Sequence, residues 1–223
     1  MVFPFFLAIF PGLAIVWFIY HIDRHEKEHF WPLTIAFLIG TLIALPLVEA
    51  QRWFSEMGWM YPHTPGSTFL ISFVLVALSE ETLKFFSLRV FTWRATFFNE
   101  PLDGIVYSVM ISMGFASLEN ILYALKFGIS TTAVRAFTAV PAHAVFATMM
   151  GYYIGKARFF PERKQRFTLL AWLVPWSVHG IYDFFIIQEI YDALIVFAIL
   201  TLGISIFFSF QLIAEEQDES PFK

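Results

Sequence analysis

The sequence contains no cysteine. A disulfide framework, thiolate zinc sites, a cysteine nucleophile and iron–sulfur clusters are thereby excluded, which leaves oxygen and imidazole to carry any chemistry. Charge is scarce as well: only 14% of the 223 residues are Asp, Glu, Lys or Arg, against about 25% in an ordinary soluble domain. The formal net charge is -4, without the clustered basic surplus that neutralising phosphates demands, so nucleic acid is not expected as a partner. Missing too are a Gly-x-Ser-x-Gly elbow, a phosphate-binding loop and a dinucleotide fingerprint. No repeat of about 20 to 50 residues recurs and the two halves do not match, which gives an inverted-repeat transporter no support. The first apolar segment lacks a basic flank and a small-residue cleavage site, so it reads as a retained span rather than a signal peptide.

What is abundant is apolar surface, 58% of residues hydrophobic and 20% aromatic. Seven apolar runs stand between charges and Pro/Gly punctuation, at 2–20, 31–50, 68–90, 103–125, 131–154, 167–187 and 191–213; each approaches the about 20 residues needed to span a bilayer. They are continuous rather than alternating, which disfavours a β-barrel. The expectation is an all-α, polytopic membrane bundle of about seven helices, with a single domain over 1–214 and a short acidic tail over 215–223. Gly114, Gly151, Gly155 and Gly180 are expected at close helix contacts, and Pro141 is expected to kink the fifth run.

Orientation follows from Lys and Arg, which favour cytoplasmic loops. With the cluster Lys156, Arg158, Arg163, Lys164 and Arg166 inside, Arg24, Lys27, Arg89, Arg94 and Lys223 are inside too, ten residues against Arg52 and Lys126 outside. The N terminus then faces out and the acidic tail faces the cytoplasm.

Ionisable residues within spans are expensive and mark function by default. The third run holds Ser79-Glu80-Glu81-Thr82-Leu83-Lys84, the fourth Phe115-Ala116-Ser117-Leu118-Glu119-Asn120, the fifth Pro141-Ala142-His143 and the sixth His179-Gly180-Ile181-Tyr182-Asp183. Residues four apart share a helix face, so Glu80 faces Lys84, Glu81 is free to meet another partner, and Asp183 can fix the tautomer of His179. Taken singly, each pair also reads as a packing device. Counting about 1.5 Å per residue from the span ends places Glu80, Glu119, His143 and His179 in one band, from the midplane toward the outer leaflet. Ser79 adjoins Glu80, but serines in spans usually bond their own helix. Carboxylates with imidazoles suit hydrolysis by a base-activated water, with or without a divalent metal such as zinc. The alternative is an ion-coupled transporter relaying protons through the same Glu, Lys and His cluster.

These four segments resemble the PrsW family of bacterial membrane proteases, within the superfamily of CaaX prenyl proteases and bacteriocin-processing enzymes. Glu80, Glu81 and Lys84 match its Glu-Glu-x-x-Lys pattern, Phe115, Glu119 and Asn120 its Phe-x-x-x-Glu-Asn, and His143 and His179 with Asp183 its histidine motifs; the loop 23–28 is also similar. The resemblance implies an intramembrane endopeptidase in the bacterial cell membrane. Its expected substrate is a single-span, anti-sigma-factor-type protein in the lipid bilayer, cut first on the outer side in envelope-stress signalling. It further implies Glu80, Glu81, His143 and His179 as catalytic residues, with Lys84, Glu119, Asn120 and Asp183 supporting them. Glu81, Glu119, His143 and His179 are the candidate metal ligands. Glu119 stands where the wider superfamily has a histidine.

Overall fold

A computed structural model describes residues 2–24 and 26–223. The chain is 85% helical with no strands among the described residues, as the apolar runs require, because a backbone in hydrocarbon must satisfy its own polar groups. Helices α1 (Val2–Ile22) and α2 (Phe30–Glu56) are followed by a continuous helical run. It consists of α3 (Pro65–Phe69), a π-helical stretch (Leu70–Leu78) and α4 (Ser79–Thr92). Then come α5 (Pro101–Phe137), α6 (Ala139–Phe159), α7 (Lys164–Ile187) and α8 (Ile195–Asp218). Among the described residues, five stretches are long and apolar enough to cross a membrane: Phe5–Ile22, Phe30–Glu56, Pro101–Phe159, Pro161–Ile187 and Asp192–Asp218. The third contains both α5 and α6, and the run through α3 and α4 is not among them, so these criteria do not reproduce the expected count of seven.

The bundle is built around α5 and α6: an 18-residue apolar window of their stretch is 83% buried, against 17% for the corresponding windows of the outer α1 and α8 stretches. Small residues allow this. A Cβ on Gly151 would lie 2.3 Å from the carbonyl oxygen of Gly104, and one on Gly114 1.9 Å from that of Phe37, so α6 and α2 approach the α5 backbone as only glycine permits.

Two sequence expectations shift. The expected loop before the fifth run is helical except at Gly128, whose φ of 80° breaks α5, a conformation glycine adopts without a Cβ penalty. The expected fifth run is interrupted at Thr138, a non-helical residue between α5 and α6 and three residues before Pro141, so the proline stands in the first turn of a new helix, where it removes no bond within that helix.

The ends of the bundle differ. At one, Arg158 Nη1 donates to the Trp93 carbonyl, Gln217 Nε2 to that of Ile22, Ser220 Oγ to Glu100 and Tyr107 OH to Glu28. Lys156 Nζ there meets Glu219 at 2.6 Å, Glu215 at 3.1 Å and Glu216 at 3.2 Å. The acidic segment expected as a tail is thus helical to Asp218 and docked. At the other end, the 57–64 and 188–194 connections meet through His63 Nδ1 and Glu189, 3.3 Å apart.

Candidate active site

Four helices bring the predicted residues together. The first turn of α4 presents Glu80 and Glu81, and one turn on Lys84 reaches both: Nζ lies 3.2 Å from Glu80 Oε2 and 2.9 Å from Glu81 Oε1. The same ammonium lies 3.1 Å from His143 Nδ1 on α6. An ammonium can only donate, so Nδ1 accepts, and His143 Nε2–H is left to donate to Glu119 Oε2 on α5 at 3.1 Å. From α7, His179 Nε2 lies 3.2 Å from Asp183 Oδ2, the expected four-residue pairing, and its Nδ1 lies 2.8 Å from Glu81 Oε1. Phe146 stacks on His179 with ring centroids 4.6 Å apart, fixing the plane of the imidazole. All eight predicted residues are buried.

The group borders a cavity of about 500 Å³ onto which Glu80, Glu119, His143, His179 and Asp183 face. Glu81 is not in its lining and lies behind, fully buried. Asn120 stands further back: its Nδ2 donates to the Ala8 carbonyl at 3.2 Å and its Oδ1 accepts from Arg135 Nε at 3.3 Å. Ser79 Oγ donates to the Leu75 carbonyl at 2.6 Å, a backbone-satisfying role as expected.

Two residues join that sequence reasoning did not single out. Arg135 Nη2 lies 2.7 Å from Glu119 Oε2 with its guanidinium 3.7 Å from the Tyr123 ring centroid, and Gln51 Nε2 donates to Glu80 Oε1 at 3.3 Å. Arg135 could have been flagged by its charge within an apolar run. Its partner could not, because residues 119 and 135 would be about 24 Å apart along one straight helix, and only the break at Gly128 brings them together.

The residues fit a divalent cation. Glu80, Glu81 and His179 offer one ligand atom each, all within 4.8 Å of one another, and Glu81 Oε2 is buried without a hydrogen-bond partner. If His179 Nε2–H donates to Asp183, its Nδ1 lone pair and the Glu81 carboxylate converge, two electron-rich atoms that a cation would reconcile. Four carboxyl groups, Glu80, Glu81, Glu119 and Asp183, stand here with only two cations, Lys84 and Arg135. Of the expected ligands, Glu81 and His179 belong to this group, while His143 and Glu119 hydrogen-bond each other and meet Lys84 and Arg135 respectively.

Comparison with known proteins agrees with this geometry. Residues 28–210 match the family described as PrsW family intramembrane metalloprotease. The chain is 36% identical to Protease PrsW of Geobacillus kaustophilus (strain HTA426), over 82% of this chain and 79% of the relative. It is 34% identical to Protease PrsW of Bacillus subtilis (strain 168), over 79% of each chain. It is 32% identical to Protease PrsW of Clostridioides difficile (strain 630), over 89% of this chain and 85% of that one. No solved structure matches.

Proposed function

Because the chain belongs to the PrsW family of intramembrane metalloproteases and is a multi-pass membrane peptidase, we propose that it makes the first, outer-side cut in a single-span membrane protein of the anti-sigma-factor type. The reading is carried by the convergence of Glu80, Glu119, His143 and His179 on one cavity that extends to Met60, Pro62 and Glu189 in the 57–64 and 188–194 connections. Those connections contain no Lys or Arg, while the opposite end holds the basic cluster. By the positive-inside rule the mouth faces away from the cytoplasm, with the N terminus outside and the C terminus cytoplasmic. A single-span substrate presents its outer juxtamembrane segment at this depth.

Glu80 is the acidic residue placed to take a proton from water, since it faces the cavity while Gln51 and Lys84 hold its carboxylate in place. Glu81 and His179 would hold a divalent metal such as zinc, with Glu80 beside them as the base, and Asp183 orients the imidazole. When bound, the metal supplies Lewis-acid polarisation of water or of the scissile carbonyl. Lys84, behind the cavity wall, sets positive charge next to Glu80, and His143, held between Lys84 and Glu119, lines the cavity where the scissile carbonyl would lie. The proton removed from water travels on Glu80 to the departing amine, so that water is added across the C–N bond. Arg135 and Asn120 act at one remove by fixing Glu119, and through it His143.

Co-expression with candidate single-span anti-sigma factors, followed by mass spectrometry of the new termini, tests the reading. A cut at or above the outer membrane face is expected. A cut on the cytoplasmic side, or none in any candidate while another class of single-span protein is cleaved, would refute the substrate assignment.

A further inference from the structure

A cavity of about 620 Å³ lies between α4 and α7, next to the turn at Pro161–Arg163 and separate from the catalytic one. Its walls are Phe85, Phe86, Leu169 and Trp172, and Arg89 and Lys164 line its polar end. Phe86 and Leu169 are 58% and 54% exposed, so the cavity opens on the surface that meets lipid.

The polar end is electrically incomplete. Arg89 Cζ lies 3.3 Å from the centroid of the Trp93 ring, Lys164 Nζ 4.8 Å and Arg158 Cζ 5.8 Å. None of these cations is ion-paired with a carboxylate among the described residues. Three like charges around one indole repel one another, and Arg89 Nη1 is buried with no hydrogen-bond partner. Both features call for an anion. Along α4, Arg89 is nine residues from Glu80, about 14 Å of helix. That is close to half of an about 30 Å hydrocarbon core, so a catalytic carboxylate near the bilayer middle puts Arg89 among headgroups.

We propose that this cavity binds an anionic phospholipid, its phosphate between Arg89 and Lys164 and an acyl chain along Phe85, Phe86, Leu169 and Trp172. A guanidinium with an unused N–H matches phosphate oxygens in the plane of its fork, and basic pockets between helices accept such headgroups. The bound lipid also braces the catalytic helices. Trp172 Nε1 donates to Thr82 Oγ1 at 2.9 Å, one residue beyond Glu81, and on the same α7 His179 meets Glu81 at 2.8 Å. A lipid wedged between α4 and α7 holds the spacing on which that second contact depends.

The test is native mass spectrometry of the full chain in mild detergent, titrated with phosphatidylglycerol or phosphatidylcholine, a measurement that needs no peptidase substrate. The parent protein is expected to retain phosphatidylglycerol preferentially, and R89Q/K164Q to lose that preference by on the order of tenfold. R163Q/R166Q, which removes two exposed cations outside the cavity, should keep it. Leu169→Trp fills the cavity without changing charge and should reduce retention even if R89Q/K164Q proves too unstable to purify. Equal retention of both lipids by the parent, undiminished preference in R89Q/K164Q, or displacement of the lipid by millimolar inorganic phosphate would each overturn the assignment.

Discussion

Two groups of buried carboxylates occupy opposite parts of this molecule and are stabilised in different ways. In the bundle, Glu80, Glu81, Glu119 and Asp183 are met by Lys84, Arg135 and two imidazoles, and the group opens on a cavity. At the docked end, Glu28 accepts from Tyr107, Glu100 from Ser220, and Asp103 Oδ2 from the backbone N–H groups of Asn99 and Glu100 at 2.8 and 2.9 Å. Lys27 is adjacent, yet its ammonium donates to the carbonyls of Tyr20 and Asp23. Burial therefore pushes the Glu28 and Glu100 carboxyls above their ordinary value, opposed by the hydroxyl hydrogen bonds and aided by neighbouring acids. Burial of acids alone does not identify a reactive centre; in the first group cations and imidazoles contact the carboxylates directly at the edge of a cavity. The first group sets carboxyl groups against cations and imidazoles beside a cavity, and the second joins loop, α5 and C-terminal segment.

The sharpest way to break this contrast is at the α4 pair. Glu80→Gln or Glu81→Gln keeps the shape and removes the charge. At least one should lower cleavage of a reconstituted substrate by about 10²- to 10⁴-fold while thermal unfolding in detergent stays near that of the parent. Full activity in both would remove the glutamates from the mechanism. Lys84→Met should lose activity and also about 3–5 kcal/mol of stability, because a buried counter-charge is withdrawn; a variant as stable as the parent would show that the ammonium is not needed to keep the pair ionised. Asp183→Asn and Arg135→Gln act one contact further out and should cost about 10- to 100-fold in rate. If either leaves the rate unchanged at equal membrane abundance, its partner, His179 or Glu119, does not need that orienting contact.

The smallest effect is expected at the docked end. An acid whose folded-state pKa is raised contributes stability that is complete below its unfolded value, near 4.5 for Glu28 and Glu100. That stability is lost as pH rises through the folded value. Limited proteolysis of the C-terminal segment should therefore quicken between mildly acidic and neutral pH. Glu100→Gln should flatten the dependence and leave substrate cleavage intact. A pH-independent rate in the parent would show that these carboxyls are not proton-loaded in the fold.

Local spacing made much of the site legible. The pairs Glu80–Lys84 and His179–Asp183 follow from helical periodicity, and their meeting in one band followed from counting depth along separate runs. Contacts that depend on how helices cross were not legible: Gln51 reaches Glu80 from α2, and Trp172 reaches Thr82 from α7. The π-helical stretch Leu70–Leu78 just before the glutamates also had no signal, its sequence being an ordinary apolar run; such turns are frequent at functional sites, but nothing in these side chains explains the winding. His143 was expected as a candidate ligand from the family resemblance; that Lys84 and Glu119 flank its ring on either side was not legible in the sequence.

The break at Gly128 links the space where a substrate would sit to the charge balance behind it. Thr131, Val134, Arg135 and Thr138, all on the chain beyond that break, form part of the cavity wall. The counter-ion of Glu119 is therefore carried on the part of α5 beyond Gly128 rather than on the part that carries Glu119. Any occupant that presses this wall outward lengthens the 2.7 Å contact between Arg135 and Glu119, and the freed negative charge is felt by His143 and then Lys84. Filling the cavity and setting its electrostatics are one mechanical event.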